Sequence, residues 1–454
     1  MQQHIAVIGG GWAGCAAAVR LTQRGHKVAL FEASRTLGGR ARRVELDGKP
    51  VDNGQHIMLG AYRETLAVMR SVGLDPDNLL RRLPMQMRYP QGKGMDFLAP
   101  KLPAPWHMLA ALLRAKGLAW QDKLALARFS SLARWIGWRL NIDCSVSELL
   151  QRYDQTPRLI ALMWRPLCIA ALNTPPERAS AQIFLNVLRD SLGAQRAASD
   201  MLIPRTDLSA LFPTAAADYV TSNGGALHIG AAVQNLVQHG AGWQITAEKI
   251  GTMAAFDAVI IATQPEHAAR LLDGLSNSST QSIVPNAALQ STRAQLARFS
   301  YEPITTCYLQ YDPTLRLPLP FMALQDDPAR HHWGQFVFDR GQLDPQHAGM
   351  LAVVVSASEQ AITLPRITLA EQIATQLASV LQLAALASPQ WHGVISEKRA
   401  TYSCRPDLQR PSNQTGLTNL LLAGDYTSSG NAGDDYPATI ESAVRSAIIC
   451  ANLL

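Results

Sequence analysis

The chain has 454 residues, 47% of them hydrophobic and 17% charged, with a formal net charge of +6. At roughly 150 residues per domain, this length points to two or three domains and a core that needs no staples. Its 31 glycines and 26 prolines are an ordinary share, which excludes collagen-like and low-complexity chains, and the low charged fraction argues against disorder.

His4 to Ile8 is an apolar run suited to a strand buried on both faces. Gly9, Gly11 and Gly14 follow as G-x-G-x-x-G, then an Ala-rich helical stretch from Cys15 to Arg24 closed by Gly25. A second strand, Lys27 to Phe31, ends in Glu32, eighteen residues after Gly14. In this context the glycines read as a dinucleotide-binding turn. Gly9 permits the turn, Gly11 admits the pyrophosphate, and Gly14 lets helix and strand approach. The amides of Trp12 and Ala13 open a helix N-terminus toward phosphate, and Glu32, followed by Ala33, would accept from adenosine ribose hydroxyls. Next comes Gly38-Gly39-Arg40-Ala41, in which the paired glycines let the chain pass the pyrophosphate and Arg40 can bind a phosphate oxygen. This pattern resembles the FAD-binding amine oxidase and phytoene desaturase superfamily.

Further along, Leu102 to Leu140 has helical apolar spacing, with Trp106, Trp120, Trp135 and Trp138 among basic residues. Such helices can lie in a membrane interface, or pack in a core with solvated basic faces. A helix is expected from about Ala179 to Leu192, with Pro175-Pro176-Glu177 as its start signal. Pro204 and Pro213 flag breaks around Thr206 to Leu211. Gly225 to Val233 is similar to the superfamily segment whose valine backbone meets the adenine, making Val233 the candidate. Asp257 to Thr263 reads as a buried strand returning to the nucleotide domain, and Thr305 to Ser356 as strands of a substrate domain. Leu420 to Leu422 leads into Gly424-Asp425, whose carboxylate can accept from a ribityl hydroxyl. A helix with Pro437 in its first turn then carries Ala438, Thr439 and Ile440, its N-terminal amides suited to the flavin N1/C2 region.

The six cysteines include no C-x-x-C pair, so neither a zinc site nor a disulfide framework is expected, no metal is assigned, and a reducing cytoplasm fits. No apolar run reaches about 18 residues, so no spanning helix is expected, and Met1 to Ile8 does not read as a signal peptide. The basic balance is compatible with an anionic membrane surface, but no Lys/Arg run of nucleic-acid type occurs. Only one G-x-G-x-x-G is present, so a separate NADPH fold is not expected and electrons come from an external donor. The expected architecture is α/β (α+β overall): a discontinuous Rossmann-like FAD domain (1–80, 210–300 and 395–454) with an inserted mixed helical/β-sheet substrate domain (81–209 and 301–394).

More specific segments are Asp52-Asn53-Gly54-Gln55-His56 on to Tyr62, Trp164-Arg165-Pro166-Leu167-Cys168 on to Asn173-Thr174-Pro175, Ala179 to Arg189-Asp190, Leu202-Ile203-Pro204-Arg205 on to Phe212-Pro213, and Glu397-Lys398-Arg399-Ala400-Thr401-Tyr402. With the flavin motifs, they resemble the squalene-associated FAD-dependent desaturases understood as hydroxysqualene dehydroxylases. The stretch from Gly424 to Ala438 runs several residues longer than that family pattern. The resemblance implies non-covalent FAD, with Asn53, Gly54, Gln55 and His56 near the flavin. It also implies a hydrophobic C30 isoprenoid substrate, reductive loss of its hydroxyl, and contact with squalene-pathway synthases. Oxidative desaturation of a polyprenoid is the alternative chemistry, and a non-catalytic prenyl-binding escort is the alternative class. Loss of hydroxide wants a general acid. His56 is the first candidate, though it can equally hydrogen-bond its loop or the cofactor. Tyr62, Arg165 and Tyr402 are the others. The tryptophan-rich basic helices and an apolar substrate together lead us to expect peripheral contact with the inner face of a bacterial plasma membrane.

Overall fold

In a computed structural model, residues 2–90, 92, 94–277, 287–430 and 433–454 are described. The expected strand His4–Ile8 forms the centre of a five-stranded parallel sheet. Lys27–Glu32 and then Ala226–Ile229 lie on one side of it, Ala258–Ile261 and then Leu420–Leu422 on the other. The inner strands are apolar on both faces because both are covered: Ile5 and Val7 pack on helices, whereas Ala6, Ile8 and Phe31 pack with Trp243, Ile245 and Phe256 of a three-stranded antiparallel sheet, Val233–His239, Gly242–Ala247 and Gly251–Phe256. The first helix, Trp12–Gln23, starts three residues before the expected Cys15, since Gly11 already sits at its N-cap. Its small side chains, Cys15 to Val19, pack against Val444, Ala447, Cys450 and Ala451 of the closing helix Ile440–Leu453. Segments about 430 residues apart thus form one layer.

A second, antiparallel sheet runs in the order Phe321–Ala323, Phe336–Asp339, Met350–Ser356, Tyr301–Gln310, Trp391–Tyr402. Its side chains alternate between faces, as strand geometry requires. Cys307, Val337 and Val353 pack beneath the helix Arg366–Leu381, whereas Phe321, Phe336, Phe338 and Val354 face the main core and the central cavity. Across the cavity stand the helices Arg165–Leu172 and Ala181–Ser191.

Further details differ from the sequence reading. Helix Ala181–Ser191 is started by Ser180, whose hydroxyl accepts from the Ile183 amide at 3.1 Å, rather than by Pro175-Pro176. The domain limit expected at 395 falls inside the strand Trp391–Tyr402, which pairs along its length with Tyr301–Gln310. The part of the 210–300 segment from 278 to 286, and residues 431 and 432 of the long 425–437 stretch, lie outside the described residues.

Candidate active site

The phosphate-binding turn is built by close backbone approach. Gly9 has φ +106°, and a Cβ there would lie 2.6 Å from the Ala262 carbonyl oxygen. A Cβ on Gly14 would sit 1.8 Å from the Gly9 oxygen, so only glycine lets this helix start against this strand. Gly11 is different. A Cβ there would meet only the Gly39 Cα, at 3.8 Å, and no side chain caps the helix that Gly11 begins. The uncapped amides of this helix therefore face a space lined by Gly11, Trp12 and Ala13, which suits a pyrophosphate. The Trp12 indole turns away, donating to the Ala41 carbonyl at 3.0 Å. The paired glycines lie across the gap, tied by the Gly38 amide to the Gly10 carbonyl at 2.8 Å. Glu32 stands at its end, accepting from the amides of Gly10 (2.6 Å) and Ser34 (2.7 Å). Ala33 and Val233 line the same cavity.

The second half of the site comes from the C-terminal segment. Arg40 forms an ion pair with Asp425 at 2.6 Å and donates to the Ala400 carbonyl at 2.8 Å. Its guanidinium is thus already engaged by the residue expected to meet the ribityl chain. Asn53 donates to the Arg40 carbonyl at 3.0 Å. Gly54 and Gln55 line the cavity with Gly424 and Asp425, and Gln55 accepts from Arg340 at 3.0 Å. The closing helix begins later than expected: Thr439 is its N-cap, accepting from the Ser442 amide at 3.1 Å, and Pro437 lies before it. Pro437 is therefore not in the first turn. Ala438, Thr439 and Ile440 still line the cavity at the positive end of this helix. The buried Glu441 accepts from Arg445 at 2.8 Å and from the amides of Glu64 and Thr65, pinning the start of helix Arg63–Ser71.

The four acid candidates part company here. His56 lines the cavity, with Nδ1 2.9 Å from the Gly54 carbonyl. Burial pulls its pKa below the ordinary histidine value and the Arg40 charge adds to this, although the Gly54 bond opposes both. It is poorly placed to carry a proton at neutral pH. Tyr62 lines the cavity beside Thr439, its phenol pushed up by burial and by Glu441. Arg165 is instead ion-paired with Asp326 at 3.0 Å and is absent from the cavity wall. Tyr402 is buried outside the cavity, its hydroxyl donating to the Tyr436 carbonyl at 2.7 Å. Arg165 and Tyr402 thus stand outside the cavity wall, each with its polar head engaged by a partner. Polar wall groups that were not singled out as candidates include Asp190, Tyr436 and Arg445, besides Gln86, His267, Arg270, Glu397 and Glu441.

The nucleotide cleft and an apolar chamber form one continuous cavity of about 1010 Å³, at the upper end of the roughly 300–1,000 Å³ usual for ligand pockets. Met85, Met87, Leu167, Phe321, Phe336 and Phe338 wall the chamber. Among the described residues, no cluster of three metal-ligating side chains occurs.

This fold and site define a FAD-dependent oxidoreductase. The family model for flavin-containing amine oxidoreductases matches residues 12–454, and the chain belongs to that family. It is 27% identical to a hydroxysqualene dehydroxylase of Rhodopseudomonas palustris, covering 100% of this chain and 99% of that one. A hydroxysqualene dehydroxylase of Zymomonas mobilis is 26% identical, with 98% of each chain covered. A probable zeta-carotene desaturase of Synechococcus elongatus is 22% identical over 98% of this chain and 96% of that one. The fold matches an oxidoreductase from Methanosarcina mazei with a TM-score of 0.72 at 15% identity, covering 98% of this chain and 99% of that one.

Proposed function

We propose that this enzyme removes the hydroxyl of hydroxysqualene reductively to give squalene. The carrying observation is the single cavity in which an aromatic, aliphatic chamber meets the flavin cleft, with the group Asp190, Tyr436 and Arg445 among the polar residues of its wall. The full-length likeness to proteins named hydroxysqualene dehydroxylase supports it. Reduced FAD supplies hydride in this chemistry. The chain's own residues do the rest. The phenylalanine and methionine walls exclude water and fix an extended hydrocarbon by burial. Holding the reacting carbon at a fixed distance from the cleft removes much of the entropic barrier. The start of the closing helix at Ile440, with the dipole behind it, favours negative charge at the edge of the cleft.

Oxidative desaturation of a polyprenoid is the second reading, favoured by the zeta-carotene desaturase among the relatives. It would leave the polar cluster without a substrate hydroxyl to meet. Anaerobic incubation of the purified protein with reductant and hydroxysqualene, and separately of the oxidised protein with phytoene, decides. Squalene formation with no phytoene product supports the first reading; the opposite pattern replaces it. A purified protein free of FAD would point instead to a prenyl-binding escort.

The same reading includes docking on an anionic membrane surface, the source of so apolar a substrate. Among the described residues, no helix is long and apolar enough to cross a membrane. The helices Trp106–Arg114 and Trp120–Trp135 nevertheless expose Trp106 (60%), Trp120 (64%) and Trp135 (84%) to solvent. Residues 101–140 also hold seven basic side chains and one acidic one, Asp122, so this segment alone accounts for the chain's net +6. Asp122 is buried, bonded to Thr156 at 2.6 Å. Exposed indoles beside basic side chains fit the interface of an anionic bilayer.

A further inference from the structure

Resting on the reading above, we propose that Tyr436, held between Asp190 and Arg445, is the acid that protonates the departing hydroxyl of the substrate. All three side chains line the cavity, and Tyr436 lies three residues before Thr439, where the closing helix opens toward the cleft.

Its setting is that of a proton donor rather than a packing residue. The phenol donates to Asp190 Oδ2 at 2.6 Å. The other Asp190 oxygen accepts from Arg189 at 2.8 Å, and Arg189 continues to Asp434 at 2.9 Å. The Arg445 guanidinium lies 4.4 Å from the centre of the Tyr436 ring, itself fixed by Glu441 at 2.8 Å. From behind, the Tyr436 carbonyl receives the Tyr402 hydroxyl and the buried Arg410. Backbone and ring are therefore both held, and the residue lines the cavity that the apolar chamber shares with the cleft. Burial and Asp190 raise the phenol's pKa while Arg445 opposes them, so the proton is in place at neutral pH and the phenolate left behind has a cation over its ring.

The step balances. The C–O bond of the allylic alcohol breaks with its electron pair going to oxygen; the Tyr436 O–H turns from Asp190 to that oxygen, which takes its proton and leaves as water. The carbon takes a hydride, carrying two electrons, from reduced flavin, which is thereby oxidised. The phenolate regains a proton from solvent by way of Asp190.

The test compares wild type with Tyr436→Phe and Asp190→Asn, each checked for FAD content and flavin spectrum. In anaerobic single turnover, Tyr436→Phe should reduce hydroxysqualene at least ~100-fold more slowly, the lower end of what a general acid contributes. The acetate ester of hydroxysqualene, whose leaving group needs no proton, should react with Tyr436→Phe at close to its wild-type rate. On the oxidised enzyme, binding read from the flavin absorbance should favour hydroxysqualene over squalene by roughly 10-fold in wild type, about one hydrogen bond, and not at all in Tyr436→Phe. If Tyr436→Phe loses FAD, Asp190→Asn carries the same comparison. Wild-type rates on the alcohol, or equal losses on alcohol and ester, overturn the assignment. A wild-type enzyme that leaves hydroxysqualene untouched overturns the underlying reading instead, before any variant is compared.

Discussion

Arg40 and Asp425 meet at 2.6 Å although 385 residues separate them. The pair joins the glycine-doublet arm to the Gly424-Asp425 turn, and both residues line the cavity. Breaking a buried pair from one side typically costs 3–5 kcal/mol; with the Arg40 side chain 28% exposed, the cost here should be smaller. Arg40→Ala and Asp425→Ala should each lower FAD content. The double variant should lose less affinity than the two single losses added together, as measured by flavin titration of the apoprotein. Strict additivity would show that the two act on FAD independently.

Gly14→Ala should yield colourless protein. The new methyl would lie 1.8 Å from the Gly9 oxygen, and that oxygen is backbone, so the helix start must move away from the phosphate site. Glu32→Ala should also lose flavin, by freeing the Gly10 and Ser34 amides it now holds. The absorbance ratio of flavin to protein at purification checks both.

Arg410→Met should lower stability by about 3 kcal/mol or more. The buried guanidinium donates to the Tyr402 hydroxyl and to the carbonyls of Tyr436 and Thr427, and hydrogen bonds to charged groups are worth about 1.5–3 kcal/mol each. Chemical denaturation of the apoprotein reads this directly. An unchanged midpoint would mean that the 427–436 stretch is not fastened through Arg410.

Acid should destabilise the fold from near pH 6.5 downward. His4, His26, His56, His107, His228, His267, His332 and His347 are all held below the ordinary value of 6.5, chiefly by burial. Below that pH the unfolded chain takes up protons that the folded chain refuses, so this stability is complete above about 6.5 and lost as pH falls. Asp52, raised to about 6 by burial, works the other way, favouring the fold as it is protonated. Glu302, also raised by burial, acts in the same sense as Asp52, and eight histidines against these two carboxyls predict a lower melting temperature at pH 5.5 than at pH 7.5.

Binding to vesicles rich in phosphatidylglycerol should be clear at low salt and weaken as salt rises. Trp106, Trp120 and Trp135 changed together to Ser should abolish it while leaving flavin content intact. Wild-type protein that stays in the supernatant under these conditions would remove the docking surface from the proposed function.

What could be read from the sequence was what is local. The Gly9, Gly11 and Gly14 spacing and Glu32 sit within one strand-turn-helix-strand unit, where spacing in the chain is spacing in the fold. Partnership across the chain was hidden. Arg165 and Tyr402 looked like catalytic polar residues, but nothing near them in sequence reveals Asp326 or the Tyr436 carbonyl as their partners. Asp190 and Tyr436 were passed over for the same reason, being 246 residues apart. The Ala179 to Asp190 segment and the Asp434-Asp435-Tyr436 run were the available signals. The helix start slipped from Pro437 to Thr439 because proline marks a first turn only where no better cap follows, and Thr439 with Ser442 is the better cap.

The interleaved sheet has a consequence for how the polypeptide is made. The strand Ala258–Ile261 waits for Leu420–Leu422, and the alanine face of the first helix waits for Ile440–Leu453. During translation the early half of the nucleotide fold therefore leaves the ribosome with a bare edge and an uncovered greasy side, both prone to aggregation. Vitamin B2 supply and chaperone protection should matter most in the last seconds of synthesis, and messages broken near their 3′ end should yield insoluble, uncoloured fragments.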